Sequence, residues 1–313
     1  MSTEKSDELV KVAELYFVEE KTQQEIADLL SISRPKVSRL LSVAKSSGVV
    51  RIEIHHPSKR LGELSILVQD KFNLDRCAVT HTYPSPEVTQ ALAGRQAAQE
   101  LEQVLTAGDI IGVTWGKSVR AVVDHVSPPS VRGAMVVQMA GSLGEGNPDL
   151  DGHEIARLLA KQLNCGHRIV SAPTVANSRE ACEYLKEQPA VAATLKEASH
   201  ANIALFGVGS LDDPENSLHR IGFLDEAERQ SLLGSGAVGH AVGQVFDVNG
   251  EGIPSFNKRV VAIGFHDLAR VPTRIAVATG TGKTIALGAA LRGGLISHLV
   301  VDEDLATSLI ESA

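Results

Sequence analysis

The segment Ser33–Leu41 has residue types and a spacing that could read DNA. Folded as a helix, it would turn an apolar stripe inward and present a basic, hydroxyl-bearing face to solvent. The residues on that outward face are Arg34, Lys36, Ser38 and Arg39. An arginine can donate two hydrogen bonds to guanine, and lysine and serine suit phosphates or mixed base contacts. We therefore interpret the segment as a recognition helix for duplex DNA.

The residues before this segment predict the partner helix of a helix-turn-helix. Thr22 is a suitable N-cap, and Glu25 three positions later completes a capping box. The apolar face of this first helix would comprise Ile26, Leu29 and Leu30, with Ala27 leaving room for a close helix crossing. The remaining expectations are that Ser31 and Ile32 form the turn, that Ser33 caps the second helix, and that Pro35 occupies its first turn.

The distribution of charge favours a DNA-binding surface over an ordinary solvated helix pair. Residues 31–60 contain seven Lys or Arg and one acid, whereas residues 1–30 contain three basic and eight acidic residues. Residues 61–313 contain 20 basic and 29 acidic residues and should repel DNA, so nucleic-acid contacts are confined to the N-terminus. The expected DNA-binding residues are Thr22, Gln23, Ser33, Arg34, Lys36, Val37, Ser38 and Arg39.

The flanking segments complete a small winged domain over residues 1–56. Residues 6–20 predict a supporting helix, Gly48 is placed to end the recognition helix, and 49–54 alternates like the first strand of a wing. Residues 57–75 predict a linker helix with an apolar stripe of Leu61, Leu64, Leu67 and Val68. That stripe could pack on the larger domain or on a second copy of the chain, and we favour some self-association through it.

Beyond residue 76, four Gly-rich segments follow predicted strands, where a phosphate could be held by backbone N–H groups. They are Gly112–Ser118, Gly141–Gly146, Gly207–Ser210 and Thr279–Thr284. Any one of them could serve packing alone, but four at one sheet edge predict an anion pocket. Position 277 is Val, which excludes a P-loop, and no Gly-x-Gly-x-x-Gly follows a strand. Lys283 is therefore interpreted as a charge partner for a phosphate or oxyanion.

Asp247 is a second candidate for ligand binding. It is the first charged residue after a long, small and apolar run, so its carboxylate could accept hydrogen bonds from sugar hydroxyls. An Asx-turn before Asn249–Gly250 explains it equally well. The sequence leaves these two roles open.

Short β-branched segments alternate with amphipathic ones from residue 76 onward, which predicts a mainly parallel, Rossmann-like α/β sheet covered on both faces. Its ligands should bind beyond the carboxyl ends of the strands. The predicted strands are 76–80, 110–114, 134–140, 168–171, 203–208, 260–265, 274–278 and 299–301. The predicted helices are 86–105, 117–126, 151–164, 178–199, 225–234, 283–293 and 303–312.

Composition limits the class of protein. The chain has 313 residues, a net charge of −8 and 43% hydrophobic residues, which is typical of a folded protein of about two domains. Its three cysteines and 11 histidines show no metal spacing, and no cofactor motif is present. No signal peptide or apolar run of membrane length is found, so we expect a cytoplasmic protein without a membrane partner.

The sequence resembles the SorC family of bacterial sugar-responsive transcriptional regulators over nearly its whole length. The resemblance lies in the Thr22–Leu41 segment and in the stretches Gly112–Ser118, Gly207–Ser210, Gly236–Asp247 and Lys283–Gly294. It implies an effector domain over residues 76–313 similar to glucosamine-phosphate deaminases and ribose-phosphate isomerases, without their activity. It also implies a phosphorylated sugar or polyol as effector, operator DNA as partner, and homodimers or homotetramers.

The resemblance and the Gly-rich segments together define the expected effector site. Its residues are Thr114, Trp115, Gly116, Lys117, Ser118, Gly141, Ser142, Gly207, Gly209, Asp247 and Lys283. The chain departs from the family pattern at Ser142, His153 and His240, so the identity of the effector does not carry over from relatives.

Two classes of function follow. The first is a DNA-binding regulator, a repressor of a carbohydrate or nucleoside catabolic operon, that is controlled by the effector and has no catalytic residues. The second is an active sugar-phosphate isomerase or deaminase with an attached DNA-binding domain, which would need Asp247 or Glu145 as a general base. No acid–base pair stands out, which favours the regulator.

Overall fold

The computed structural model describes residues 3–50, 59–127, 133–144, 148–213 and 216–312. The chain divides into two compact units, Met1–Pro57 and Ser58–Ala313. The predicted wing falls mainly on residues 51–58, which lie outside the described residues, and residues 49 and 50 form no strand.

The first unit is a bundle of three helices, α1 (Thr3–Phe17), α2 (Gln23–Leu30) and α3 (Arg34–Ser46). Their shared core buries one stripe of each helix, which is why the apolar spacing of the sequence produces this arrangement. The fully or almost fully buried residues are Leu9, Val12, Ala13, Leu15, Ile26, Ala27, Val37, Leu41 and Ala44. Leu29 is 59% exposed, so its expected place on the inner face of α2 is wrong.

The ends of α2 and α3 explain the tight turn between them. The Thr22 N–H donates to Glu25 Oε2 at 2.8 Å and the Glu25 N–H donates to Thr22 Oγ1 at 3.3 Å, which confirms the capping box. Ser31 ends α2 in the left-handed conformation, with φ 51°. Ser33 occupies the N-cap position of α3 as expected, but its side chain makes no capping hydrogen bond. Gly48, with φ 76°, follows the end of α3 as expected.

The second unit is built on a sheet whose described strands are β1 (Arg76–Thr80), β2 (Ile110–Val113), β3 (Met135–Gln138), β4 (Gly166–Arg168), β5 (Ile203–Ser210), β6 (Ala237–Ala241), β7 (Gln244–Asp247), β8 (Thr273–Ala278) and β9 (His298–Asp302). Seven of them run parallel in the order β1-β9-β8-β5-β2-β3-β4. The hairpin β6–β7 pairs antiparallel with the end of β5.

Helices cover both faces of this sheet. Those the structure describes are α4 (Lys59–Phe72), α5 (Pro86–Val104), α6 (Lys117–Val123), α7 (Gly152–Gln162), α8 (Arg179–Glu187), α9 (Pro189–Ala198), α10 (Ser217–Arg220), α11 (Glu226–Gly234), α12 (Pro254–Asn257), α13 (Phe265–Arg270), α14 (Thr284–Arg292) and α15 (Glu303–Glu311). Two large apolar clusters fill the space between helices and sheet, and the central strands are almost wholly buried. The mainly parallel α/β fold is thus confirmed.

Several predicted elements need correction. The predicted strand 260–265 is wrong: this segment makes isolated bridges from Val260 to Val175 and from Ala262 to Ala140, and Phe265 begins α13. The predicted strand 168–171 is displaced, since β4 ends at Arg168. The predicted helix 178–199 is two helices, because Pro189 cannot continue the hydrogen bonding of α8.

Helix α4 packs within the second unit. Val68 is fully buried, and the Ser65 hydroxyl accepts a hydrogen bond from the Val79 N–H of β1 at 3.1 Å. Lys71 Nζ donates to the Leu309 and Ile310 carbonyls at 3.0 and 2.8 Å, at the end of α15. Helix α4 is therefore attached to both β1 and α15.

Candidate functional site

A cavity of about 440 Å³ opens beyond the carboxyl ends of the central strands β2, β5 and β8. This is the edge at which parallel α/β sheets bind their ligands. The loop after β2 contributes Thr114–Ser118, the loop after β8 contributes Thr279 and Lys283, and the end of β5 contributes Gly207–Ser210. Helices α5 and α10 and the hairpin β6–β7 close the remaining sides.

The charges that line the cavity favour an anionic ligand. Three cations, Lys117, Arg220 and Lys283, face two acids, Glu87 and Asp213. Burial lowers the pKa of the Lys283 ammonium, while Asp213 and Asp302 act in the opposite direction. An anion bound next to Lys283 would stabilise the ammonium form of this side chain and so oppose the effect of burial on its pKa.

A chain of hydrogen bonds lies along one wall. Thr279 Oγ1 donates to Gln90 Oε1 at 3.4 Å, and Gln90 Nε2 donates to Ser118 Oγ at 3.3 Å. These three side chains come from the loop after β8, from α5 and from the start of α6. They offer hydroxyl and amide groups that match the hydroxyls of a sugar or polyol.

Two aromatic residues of the cavity lining, Trp115 and His240, are buried. The rings of Trp115 and His240 lie with centroids 6.1 Å apart, and each residue is about 95% buried. Trp115 Nε1 and His240 Nε2 have no hydrogen-bond partner among the described residues. Burial, and secondarily the charge of Lys283, lower the pKa of His240 to about 4, so its imidazole is neutral at pH 7.

Gly209 makes room for this histidine. A Cβ at position 209 would lie 2.1 Å from His240 Nε2, far inside van der Waals contact. The glycine in the Gly207–Ser210 segment therefore serves the close approach of a side chain. It does not act through a left-handed backbone, because its φ is not positive.

Gly116 differs in this respect. Its φ is 118°, a conformation that side chains strongly disfavour, and it immediately precedes α6. Its N–H already donates to the Leu150 carbonyl at 3.0 Å, so this amide is not available to an anion.

Eight of the eleven expected effector-site residues line the cavity: Thr114, Trp115, Gly116, Lys117, Ser118, Gly207, Gly209 and Lys283. Gly141, Ser142 and Asp247 do not. A Cβ at Gly141 would come within 2.5 Å of the Ala172 carbonyl, so this glycine packs against backbone. Ser142 Oγ donates to the Asp151 carboxylate at 2.6 Å, in a local turn.

Asp247 forms the Asx-turn that its position before Asn249–Gly250 made possible. Its Oδ1 accepts hydrogen bonds from the N–H groups of Asn249 and Glu251, both at 2.9 Å. The structure thus favours the Asx-turn over the sugar-binding role. His153 is also directed elsewhere, with Nε2 3.2 Å from the Val170 carbonyl.

Several cavity residues were not anticipated as site residues. Gln90 lies in the first turns of α5, Arg220 lies at the end of the short helix α10, and His240 lies in β6. None of these follows a Gly-rich strand end, and no local pattern distinguishes them from surface or core residues. Of these three residues, only His240 stood out in the sequence, because it departs from the family pattern.

The side chains expected to contact DNA are mostly exposed on α3. Arg34, Ser38 and Arg39 are exposed on α3. Lys36 is exposed too, but its Nζ lies 2.6 Å from Glu8 Oε1 of α1, so it is ion-paired within the unit. Val37 is fully buried against α1 and α2, which contradicts its expected contact with DNA.

No group of three or more metal-binding side chains is found among the described residues. In the same part of the chain, no helix combines the length and hydropathy needed to cross a membrane.

Comparison with known proteins identifies similar chains. A family model described as "Putative sugar-binding domain" matches residues 56–311. The deoxyribonucleoside regulator of Bacillus subtilis is 31% identical, over 99% of this chain and 99% of its own. The transcriptional regulator LsrR of Klebsiella pneumoniae is 29% identical, over 98% of this chain and 94% of its own.

Solved structures share the fold. The full-length sorbitol operon regulator SorC from Klebsiella pneumoniae superposes with a TM-score of 0.78 at 24% identity, over 96% of this chain and 97% of its own. A sugar-binding domain of a transcriptional repressor from Vibrio fischeri gives a TM-score of 0.73 at 26% identity, over 80% of this chain and 98% of its own.

Proposed function

The chain belongs to the SorC family of transcriptional regulators with a sugar-binding domain, and from that membership we propose that it represses a carbohydrate or nucleoside catabolic operon. In this proposal a phosphorylated sugar or polyol binds in the second unit and lowers the affinity of the first unit for operator DNA. The protein acts in the bacterial cytoplasm as a homodimer or homotetramer, since two DNA half-sites call for two recognition helices.

The single observation that carries the proposal is the composition of the cavity. Lys117, Arg220 and Lys283 provide cationic groups, whereas Gln90 and Ser118 provide neutral polar groups. A phosphate monoester would match the cations and the hydroxyls of its sugar would match the polar wall. A nucleobase or a purely apolar ligand would leave the three cations of the lining facing only Glu87 and Asp213.

The same cavity gives little support to the enzymatic alternative. Isomerases and deaminases of sugar phosphates need a general base beside the reacting carbons. Of the two candidates, Asp247 does not line the cavity and is held in an Asx-turn. Glu145 lies outside the described residues. We therefore propose that the cavity binds its ligand without turning it over.

A thermal-shift screen of sugar phosphates and polyol phosphates tests the effector site. We expect one of them to stabilise the wild type, and we expect Lys283→Ala to lose most of that stabilisation. Lys161→Ala, an exposed lysine on α7 outside the cavity, is the matched control and should respond like wild type. A ligand that stabilised wild type and Lys283→Ala equally would refute the role of Lys283. Steady turnover of ribose 5-phosphate or glucosamine 6-phosphate would refute the non-enzymatic assignment.

Gel shifts with the DNA upstream of the protein's own gene test the DNA reader. Arg34→Ala and Arg39→Ala should each weaken binding by about 1–3 kcal/mol if they contact bases. Arg95→Ala, a change in helix α5 of the second unit, is the control and should leave DNA binding unchanged. Wild-type affinity in both α3 variants would show that α3 is not the recognition helix.

A further inference from the structure

Asp302 is a buried carboxylate next to the cavity, but it does not line it. It is the last residue of β9, and its relative exposure is 0%. Its two oxygens accept three hydrogen bonds: Oδ1 from Thr82 Oγ1 at 2.9 Å and from the Leu305 N–H at 3.2 Å, and Oδ2 from the Gly280 N–H at 2.7 Å. A single side chain thus joins the segment after β1, the start of α15 and the loop after β8.

The third of these bonds holds the loop that carries Lys283. Gly280 has φ 89°, and the turn Thr281–Lys283 begins directly after it. The Lys283 N–H donates back to the Gly280 carbonyl at 3.2 Å, which closes the turn. The position of Gly280 therefore sets the position of Lys283, and Asp302 sets the position of Gly280.

Electrostatics connects the same two residues. Burial lowers the pKa of Lys283, and the negative charge of Asp302, with that of Asp213, opposes the effect. The other charged or titratable groups facing the cavity are Lys117, Arg220, Glu87 and His240. Among the described residues, no Lys, Arg or His nitrogen lies within 4 Å of the Asp302 carboxylate oxygens, so Asp302 forms no salt bridge there.

We propose that Asp302 is a positioning residue of the anion site: it fixes the Gly280 loop so that Lys283 faces the ligand. The inference rests on the proposed function, since it assumes that Lys283 meets an anion. Asp302 itself does not touch the ligand. Its effect on binding passes through Lys283.

The alternative is that Asp302 is only a helix cap. An N-cap aspartate that served stability alone would change the melting temperature on substitution and leave anion affinity and its pH dependence unaltered. Asp225 provides the matched control, because its carboxylate caps α11 through the Glu228 N–H at 2.7 Å and does not line the cavity.

The test is a calorimetric titration of the full-length protein with inorganic sulfate, which stays a dianion throughout the pH range used. Wild type, Asp302→Asn, Lys283→Ala, the double variant and Asp225→Asn are compared from pH 6.5 to 9.5. We expect Asp302→Asn to bind sulfate about tenfold more weakly at pH 7.5, and to lose affinity at a lower pH than wild type on the alkaline side, because the negative charge of Asp302 opposes the lowering of the Lys283 pKa by burial. In the Lys283→Ala background the same change should have almost no effect, and Asp225→Asn should behave like wild type.

Gly280→Ala covers the case in which Asp302→Asn does not fold. A Cβ at position 280 would meet nothing within 4 Å, so this variant strains only the loop backbone and should also weaken sulfate binding. Unaltered affinity in either folded variant, or equal losses with and without Lys283, would overturn the inference while leaving the proposed function intact. Absence of sulfate and sugar-phosphate binding by wild type would overturn both.

Discussion

His240 is a buried, titratable residue of the cavity lining. Its imidazole is buried between Trp115 and Gly209, and Nε2 has no partner among the described residues. An unsatisfied buried N–H or ring nitrogen costs about 1–3 kcal/mol, which the rest of the fold must offset. Such a cost is tolerated where a ligand or water can supply the missing hydrogen bond.

The buried histidine predicts an acid-sensitive stability. The unfolded imidazole takes up a proton below pH 6.5, whereas the folded one resists until about pH 4. The free energy of unfolding should therefore fall as the pH drops through this window, by at most about 1.4 kcal/mol per pH unit for one group. Chemical denaturation at pH 7.5, 6 and 5 measures this.

The comparison variants are His240→Gln and His266→Gln, the latter being a change at an exposed histidine. His240→Gln should flatten the acid slope and His266→Gln should not. Burial also lowers the pKa of His298, so part of the slope should remain in His240→Gln. Equal slopes in wild type and His240→Gln would contradict the prediction.

A second prediction at this scale concerns Gly209→Ala. The new Cβ would lie 2.1 Å from His240 Nε2 and would force the imidazole toward the cavity. We expect destabilisation of about 1–3 kcal/mol and a loss of effector binding larger than stability alone explains. Thermal denaturation and ligand titration of the same preparation separate the two. Gly282→Ala, where a Cβ meets nothing within 4 Å, is the control for stability.

At the level of elements, the sequence predicted most of the parallel sheet. Strands such as β1 and β8 were placed to within a residue, because buried parallel strands are short β-branched runs between helical patterns. The hairpin β6–β7 was missed, since its run of glycine, alanine and valine has no alternation. Its turn uses Val242 and Gly243, both at positive φ, instead of the common Asn-Gly pair.

The site was predicted only where local pattern and chemistry coincide. Gly-rich strand ends and Lys283 were identified because a parallel sheet brings strand ends to one edge. Gln90 and Arg220 were not, because their place in the cavity depends on how α5 and α10 pack. Asp247 was proposed from its chemistry as a ligand-binding residue, but its carboxylate accepts a hydrogen bond within a local turn.

The capping box of α2 makes a prediction at the same scale. Glu25→Ala removes the acceptor for the Thr22 N–H and should weaken the start of α2 by about 0.5–1 kcal/mol. Amide hydrogen exchange should then be roughly threefold faster in the first turn of α2. Gln24→Ala, which alters only a side-chain contact with Asp28 in the same turn, should leave the Thr22 N–H protected. Unaltered exchange in Glu25→Ala would show that the box contributes no stability.

In the whole molecule, regulation requires that a ligand bound in the second unit alters DNA binding by the first unit. Helix α4 is the first helix of the second unit, and it is attached to β1 by Ser65 and to the end of α15 by Lys71. Asp302 is the N-cap of helix α15, and its carboxylate also accepts a hydrogen bond from the Gly280 N–H of the loop that carries Lys283. A displacement of that loop can therefore reach α4 through one short helix.

This arrangement predicts that Lys71→Met reduces coupling without abolishing binding. The variant removes both hydrogen bonds to the end of α15 but keeps much of the aliphatic side chain. Effector affinity should stay within about threefold of wild type, while the effector-induced change in operator affinity, about 1–3 kcal/mol for an allosteric regulator, should fall by roughly half. Titrations of labelled operator with and without effector measure both.

Lys59→Met is the matched control, because Lys59 lies on the same helix and, in the described part of the chain, its ion pair is with the exposed Glu63. It should regulate like wild type. Full coupling in Lys71→Met would exclude the contact between α4 and α15 as a route.

The ion pair between Lys36 and Glu8 has a consequence for how operator binding responds to salt. A free lysine that meets a DNA phosphate releases a condensed counterion, and each such contact steepens the decline of affinity with salt concentration. Lys36 must first leave Glu8, whose carboxylate then attracts a cation of its own. The cation attracted to Glu8 partly offsets the counterion released from the phosphate, so a contact of Lys36 with a phosphate would add less than a full counterion to the salt dependence. The count of phosphate contacts obtained from that dependence would be correspondingly low.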